Sequence, residues 1–466
     1  VEKFTKTLSI ILEKNPNILD ICKRINFFNG KTYLVGGTIR DIFFEFNYKA
    51  DKFDFDIEVH NLTEEKLIAI LSEFGTVSKI GSFFGVFSIN GINAEFALPR
   101  IDGIGRNPEV KILKNITIEE SLKRRDITIN AIACELPFNG KIIDPFDGIN
   151  CIKEKIIKAV NYEKFKDDPL RVFRVMRYMA IFELQIERKL IDLCKSMEIK
   201  GISHERIYQE LYLMFLYAEN PSIGLAFIED VNKIEYISSF LKYEYKSLFE
   251  KPHYTFLMTD KISIEDKNKR LIYRFAAICV ENTTKNITEI FKDGNKDLVN
   301  KIRFIIASRN RIKDCLSKGI KTEERLFKYK ILAFDSNKFN LNLYELSNFF
   351  LFSNKNIYII MLDLINSIGE NVEFKPIYAM QKKETLEYNK FLKKAKELNI
   401  LYTYEKPLLK GEDLLEIVKE EKLWGKILNK VYEYQISQIN PKKDKIIKKA
   451  IEIYQQEKLN LFKQRD

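Results

Sequence analysis

The stretch KTYLVGGTIRDIFFEFNYKADKFDFDIEVH (31–60) decides how the chain is read. It predicts an apolar strand over 32–35, a Gly36–Gly37 turn, a helix from about Thr38 and a second strand over 53–59. In the second strand Phe53, Phe55, Ile57 and Val59 alternate with Asp54, Asp56 and Glu58, so a period of two sends the apolar residues to one face and the acids to the other. Asp54 and Asp56 then leave the sheet together, their Cα atoms ~6.6 Å apart at a rise of ~3.3 Å per residue. Carboxylates at that span can share two divalent cations about 3.5–4 Å apart. The Gly-Gly turn gives a backbone that can approach a phosphate closely, ahead of a helix N-terminus whose free N–H groups favour anions. Taken alone, Asp-x-Asp is a solvated acidic strand face and Gly-Gly is only a turn. Together, with Arg40 and Asp41 after the glycines, they outline a site for phosphoryl or nucleotidyl transfer.

The chain has 466 residues, 45% of them hydrophobic, which implies a soluble globular protein of two to four domains or subdomains. Its net charge of +11 fits a nucleic acid partner without requiring one. Cys22, Cys134, Cys151, Cys194, Cys279 and Cys315 are scattered with no C-x-x-C. That argues against a disulfide framework or zinc site and for a reducing cytoplasm. With only 3 histidines, a His-rich metal centre is not expected either. Apolar runs such as 357–364 fall far short of the ~20 residues of a membrane span. The segment VEKFTKTLSIILEK (1–14) carries acids and no cleavable apolar core, so neither a membrane span nor a secretion signal is expected.

Past residue 60, a helical pattern over 62–74 leads into strands at 77–80, 86–89 and 94–98, and Glu95 stands in the otherwise apolar last of these. The polar segment 102–120, with Gly103, Gly105 and Pro108, reads as a mobile loop. In RRDITINA (124–131) the arginines and Asp126 can hold a triphosphate and accept ribose hydroxyls, while Asn130 can bond the sugar or brace the turn. In isolation the octamer is also an ordinary helix start with a capping aspartate. In DDPLRVFRVMRY (167–178), Pro169 suits a first helical position and Asp168 an N-cap. Arg171, Arg174 and Arg177 recur every three residues and share roughly one side of that helix. The remainder is almost entirely helical. Near its end Lys442, Lys443, Lys445, Lys448 and Lys449 form a basic cluster, either a solvated face or a phosphate-contacting patch.

GGTIRD (36–41), DFD (54–56), RRDITINA (124–131), DPFDG (144–148) and DDPLR (167–171) resemble, in order, the motifs of the class II tRNA nucleotidyltransferase and bacterial poly(A) polymerase group, within the polymerase-β-like nucleotidyltransferases. The departures are Ile127 for the usual Phe, Asp167 for Glu, Cys151 and Ile152 after the third motif, and a somewhat short 102–120 loop. The resemblance implies an α+β fold: a small mixed-sheet head (1–145), then an elongated helical neck (146–220), body (221–395) and tail (396–466). It implies addition of C, C and A to tRNA 3′ ends from CTP and ATP without a nucleic acid template, with Mg²⁺ held by Asp54 and Asp56. A third carboxylate, Glu95 with Glu58 as its rival, would complete the catalytic set. Gly36, Gly37, Arg40, Arg125, Asp126 and Asn130 would meet the nucleotide. Asp168 and Arg171 would choose the base, the arginine fork donating and the carboxylate accepting from the exocyclic amine that cytosine and adenine share. Arg174 and Arg177 would meet phosphates or brace the site, and the lysine cluster would contact tRNA. A partial CC-adding or A-adding enzyme, a poly(A) polymerase and a catalytically lapsed RNA-binding protein remain alternatives.

ISHERIYQEL (202–211) resembles the family's next block, a helix start at Ser203 with a structural role. PHYTFLMTD (252–260) and RFAAICVEN (274–282) resemble two halves of an HD hydrolase module. Val280 and Glu281 stand where its metal-binding His-Asp pair would be, and His253 has no partners, so a degenerate, metal-free module is expected. PLLKGEDLLEI (407–417) and LWGKIL (423–428) resemble the tail block.

Overall fold

Two helices, α1 (Glu2–Glu13) and α2 (Pro16–Phe27), lead into β1 (Lys31–Val35), a turn at Gly36, α3 (Gly37–Phe43) and β2 (Phe55–His60). This is the strand, turn, helix and strand read from 31–60, in a computed structural model whose described residues are 2–45, 54–80, 85–101, 111–112, 116–237, 254–262, 264–279, 296–317, 323–352, 389, 392–415, 417–438 and 441–462. Phe53, where the second strand was expected to begin, lies outside them. So do residues 81–84 and 102–110 with 113–115, and His253, Val280 and Glu281, on which the degenerate-module expectation falls.

After β2 come α4 (Glu64–Ser72), β3 (Val77–Ile80), β4 (Val86–Ile89), β5 (Ala94–Ala97) and the short pair β6 (Arg100–Ile101) and β7 (Lys111–Ile112). Then follow α5 (Ile118–Leu122), a 3₁₀ turn (Thr128–Asn130), β8 (Ala133–Leu136) and β9 (Ile142–Ile143). The described strands form one mixed seven-stranded sheet in the order β3-β4-β5-β2-β1-β8-β9, with β6–β7 apart from it. β1 is antiparallel to both β2 and β8, and β2 is parallel to β5.

Register fixes the two faces. Leu34 lies opposite Ile57 and Cys134, while Tyr33 lies opposite Glu58 and Glu135. The first set, with Val59, Phe55 and Phe96, is buried, each large apolar side chain contributing roughly 1.5–3 kcal/mol of transfer free energy. The second face carries the acids and is closed at one end by α5, whose Ile118 and Leu122 pack with Tyr33, Val35, Ala131 and Ala133. A capping box at Thr117 and Glu120 starts that helix.

The chain continues through α6 (Gly148–Lys153), β10 (Ile156–Ile157), α7 (Tyr162–Phe165), α8 (Leu170–Phe182), β11 (Gln185–Ile186), α9 (Arg188–Ser196), α10 (His204–Tyr217) and α11 (Ser222–Asp230). The apolar side of α8 is sealed against α10 and α11. Gly224 lets α11 come close, since a Cβ there would sit 2.6 Å from both the Met176 carbonyl oxygen and Met214 Sδ.

Two compact units result, Val1–Ser238 and Ser239–Asp466. The expected head and the whole of the expected neck thus share one unit. The second holds helices and no strand among its described residues, with an irregular stretch over 400–410. Tyr273, Phe275, Ile302 and Leu346 are buried where the helices Lys267–Ile278 and Leu343–Phe352 each pack on Lys296–Ser317, and one core gathers Leu414, Val418, Ile427, Val431, Ile446 and Ala450 around the helices Trp424–Ser437 and Lys443–Phe462. Cys22, Cys134, Cys151, Cys194 and Cys279 are buried free thiols. No helix among the described residues is long and apolar enough to cross a membrane.

Candidate active site

A cleft of about 380 Å³ opens on the acidic face of the sheet within the first unit. Asp56 and Glu95 form part of its floor. They are register partners on the parallel strands β2 and β5, so their side chains leave the same face side by side. Asp54 precedes β2 and is exposed, its backbone oxygen accepting from Thr38 Oγ1 at 2.6 Å. The acids feel one another. Burial, and then the Asp54 charge, raise the Asp56 pKa against the pull of Arg125. Glu95 is raised by burial first and then by Asp56 and Asp54. Glu58 behaves differently. It is buried, accepts from His60 Nε2 at 2.8 Å and lies 3.4 Å from Arg124 Nη2. Burial opposes its ionisation, but these partners outweigh it and hold the carboxyl at about 2. A carboxylate so fully matched is a support of the cleft wall, which leaves Glu95 as the acid beside Asp56.

Among the described residues no three His, Cys, Asp or Glu side chains are arranged to hold a metal ion by themselves. The donors on the floor are hard carboxylate oxygens, the chemistry Mg²⁺ takes when one or two acids bind it and water and substrate phosphates fill its remaining positions.

Facing the acids are Arg124, Arg125, Arg171, Arg174 and Arg206. Arg125 is positioned through Gly36, whose φ of +75° suits glycine. A Cβ there would lie 2.5 Å from Arg125 Nη1. The close approach read into the Gly-Gly turn is therefore occupied by a guanidinium. Burial, and the like charge of Arg124, lower the Arg125 pKa. Arg171 donates from Nη1 to the Lys164 carbonyl at 2.8 Å and from Nη2 to the Arg124 carbonyl at 2.9 Å, which fixes its fork in the cleft. Asp168 accepts the Leu170 N–H on Oδ1 at 3.0 Å, the capping role its sequence suggested, and Arg206 on Oδ2 at 3.2 Å.

Several residues expected at the nucleotide are drawn into a buried network instead. Arg40 Nη1 donates to Asn130 Oδ1 at 2.7 Å, and Asn130 Nδ2 donates to Asp126 Oδ1 at 3.0 Å. Asp126 Oδ2 accepts from Arg174 Nε at 2.6 Å. Arg177 Nε makes a 2.8 Å ion contact with Glu210, out of hydrogen-bond alignment. Arg40 also pairs with Asp41 at 2.6 Å and lies over the rings of Tyr178 and Phe182 at 4.8 and 5.0 Å. Despite burial, Asp126 is held well below its usual range by Arg174, Asn130 and the Ile127 N–H. Burial opposes ionisation of Tyr178, but Arg174, Arg40 and Arg177 outweigh it and lower that pKa. Arg40, Asn130 and Arg177 do not line the cleft, whereas Asp126 and Arg174 reach its edge.

The sequence reading passed over Arg206, Tyr178 and Glu210 as site residues. Arg206 and Glu210 lie in the block taken as structural, and the packing of α10 on α8 brings Arg206 to Asp168 and Glu210 to Arg177. Of the lysine cluster, Lys442, Lys443, Lys445 and Lys448 are exposed. Lys443 pairs with Asp413 at 2.7 Å and Lys449 with Glu452 at 2.8 Å.

Residues 32–158 match the family model "Poly A polymerase head domain". Over those residues the chain is similar to that head domain. The resemblance read from its motifs holds. A CCA-adding enzyme of Francisella tularensis subsp. novicida is 33% identical over 237 residues, which are 48% of this chain and 61% of that protein. The matched part thus spans less than two thirds of that relative's length. Two solved structures share the fold at low identity. One is a Bacillus stearothermophilus CCA-adding enzyme in complex with CTP, at 17% identity and TM-score 0.59, covering 97% of this chain and 99% of the other. The other is a Thermotoga maritima CCA-adding enzyme complexed with tRNA, at 18% and 0.57, covering 96% and 98%. The expected α+β architecture, a mixed-sheet head with helices after it, is the one they have.

Proposed function

We propose that this protein is a tRNA nucleotidyltransferase that adds C, C and A to tRNA 3′ ends from CTP and ATP without a nucleic acid template. The observation that carries the reading is the opposition within one cleft of Asp56 and Glu95 to Arg125, Arg171 and Arg174, with Asp168 beside them. Asp54 and Asp56, with Glu95 next to them, would hold Mg²⁺, which when bound supplies positive charge at the primer 3′-oxygen and the triphosphate. Arg125 and Arg124 are placed to bind phosphate oxygens, and Arg174, tied to Asp126, keeps the nucleotide side of the cleft in shape. Arg171, its fork aimed by two carbonyls, donates to the base, and Asp168 accepts from the exocyclic amine. Uracil and guanine offer a carbonyl oxygen at that place and meet the carboxylate unfavourably. Lys442, Lys445 and Lys448, with Lys443 and Lys449, would contact the tRNA backbone. The relatives named for CCA addition, and solved structures bearing CTP or tRNA in their titles, support this assignment. Its substrates place its work in the cytoplasm.

The test is incubation with tRNA transcripts ending before the first C, after each C and after the A, with CTP and ATP singly and together and with Mg²⁺. Products are resolved at single-nucleotide length. Stepwise addition that halts after A supports the reading. Addition of only CC or only A identifies a partial enzyme, long A tails identify a poly(A) polymerase, and binding without extension identifies a lapsed one.

A further inference from the structure

We propose that Arg206 is a positioning residue for base selection, fixing the plane of the Asp168 carboxylate so that its free lone pairs face the bound base. The inference rests on the function proposed above and extends it to a residue outside the base-reading segment.

Asp168 is held at both oxygens, Oδ1 by the Leu170 N–H at 3.0 Å and Oδ2 by Arg206 at 3.2 Å. Each carboxylate oxygen can accept a second bond, so these contacts leave acceptor capacity and remove rotation about the side chain's last torsion. The guanidinium of Arg171 is immobilised in the same way, by the Lys164 and Arg124 carbonyls. The acceptor and donor proposed to read the base are therefore both rigid, and of these four tethers Arg206 is the one supplied by a side chain, reaching from α10. Its delivery is rigid too. Glu210 lies four residues on, on the same side of α10, and binds Arg177 of α8 at 2.8 Å. That anchors α10 one turn from where Arg206 reaches the start of α8.

Fold maintenance does not account for the pair. The Arg206 and Asp168 side chains are 51% and 37% exposed, and ion pairs so open to water add little stability. Both line the cleft. With Arg206 removed, Asp168 keeps its helix-capping bond but turns about it, and the angle at which it meets an exocyclic amine is no longer set. Discrimination between an amine and a carbonyl on the base should then fall, while the phosphate contacts of Arg125 persist.

The experiment measures single-nucleotide extension of a tRNA transcript ending before its CCA, with CTP or UTP as sole nucleotide. The wild-type protein, Arg206→Gln and Arg206→Lys are compared for kcat and KM, with thermal unfolding alongside. In Arg206→Gln the CTP-over-UTP preference in kcat/KM is expected to fall about tenfold or more. The fall should come chiefly through KM for CTP, at unchanged Tm, and Arg206→Lys should recover part of it. A preference within about twofold of wild type, or equal losses toward both nucleotides, overturns the inference and leaves the proposed function standing. No extension by the wild-type protein overturns the proposed function and this inference with it.

Discussion

Beneath α8, Arg174 meets Asp126 at 2.6 Å, Arg177 meets Glu210 at 2.8 Å and Arg40 meets Asp41 at 2.6 Å, so three buried or half-buried cations each have an acid. On the floor of the cleft Asp56 and Glu95 stand side by side with Asp54 close enough to raise both of their pKa values. The first region pairs each of these cations with an acid at close range, whereas Asp56 and Glu95 stand across the cleft from its arginines. A matched cluster in a low-dielectric setting is rigid and costly to break, whereas like charges gathered at a solvent-reached edge await a cation from outside. Two sets of residues that read alike in the motifs thus differ in how closely their charges are paired.

The sharpest division comes from Asp56→Asn. Removing an unmatched acid should lower nucleotidyl transfer by ~10³-fold or more. Thermal stability should hold or rise slightly, because a carboxyl whose pKa is raised by burial is a net cost to the folded state at neutral pH. Asp126→Ala should do the reverse. It strands Arg174 and removes the acceptor for Asn130 and the Ile127 N–H, costing about 3–5 kcal/mol of stability, read by denaturant unfolding. Activity of the folded fraction should fall far less than in Asp56→Asn, and through KM for the nucleotide, since Arg174 loses the acid that holds it at the cleft. If Asp56→Asn unfolds the protein, or Asp126→Ala is inactive yet fully stable, the contrast between the regions is wrong.

That contrast marks what was legible in 31–60 and what was not. The β1-turn-α3-β2 order and the placing of acids along one face of β2 follow from local rules of period and turn, and they stand; Asp54 falls just before β2, and α8 begins at Leu170, one residue after the expected Pro169. The roles of Arg40 and Asn130 do not follow from such rules. Each lies in a motif suited to phosphate or sugar, and both are consumed by partners far away in sequence, Asn130 by Asp126 and Arg40, and Arg40 also by the rings of Tyr178 and Phe182. Glu58 shares the period-two face with Asp56, but the folding back of 116–124 supplies Arg124 and covers it. Arg206 was readable only as the first turn of a helix, because nothing in ISHERIYQEL says which helix it will meet.

Glu58 offers a pH test of the matched class. Its folded pKa of about 2 lies below the ordinary 4.5, so the stability it contributes is complete above about pH 4.5 and is lost as pH falls toward 2. Glu58→Gln should remove that dependence and cost a few kcal/mol at neutral pH, measured as the difference between denaturant midpoints at pH 6 and pH 3. A smaller effect is expected at Gly36. Alanine there adopts a strained φ, costing about 1–3 kcal/mol, and its Cβ displaces Arg125 Nη1. KM for the nucleotide should rise more than kcat falls, which would connect the turn to the cleft's cationic wall.

The smallest effect is expected where charge is unmatched but fully in water, at Lys445 and Lys448 on the helix Lys443–Phe462. Neighbouring Lys443 and Lys449 already have acids at 2.7 and 2.8 Å, so the same distinction between matched and unmatched charge recurs here at the surface. Substituting Lys445 and Lys448 by Gln should leave folding unaffected, because exposed charges contribute little to it. If each meets a tRNA phosphate, the slope of log affinity against log salt should become shallower by roughly 0.7–0.9 per lysine. Substituting Lys443 and Lys449 should change it less, since each must first give up an acid. Titration of tRNA binding at several salt concentrations separates the two pairs. An unchanged slope in the Lys445 and Lys448 variant would make the cluster a solvated face, and equal changes in both pairs would mean that surface matching, unlike the buried kind beneath α8, does not decide which charges remain available to a ligand.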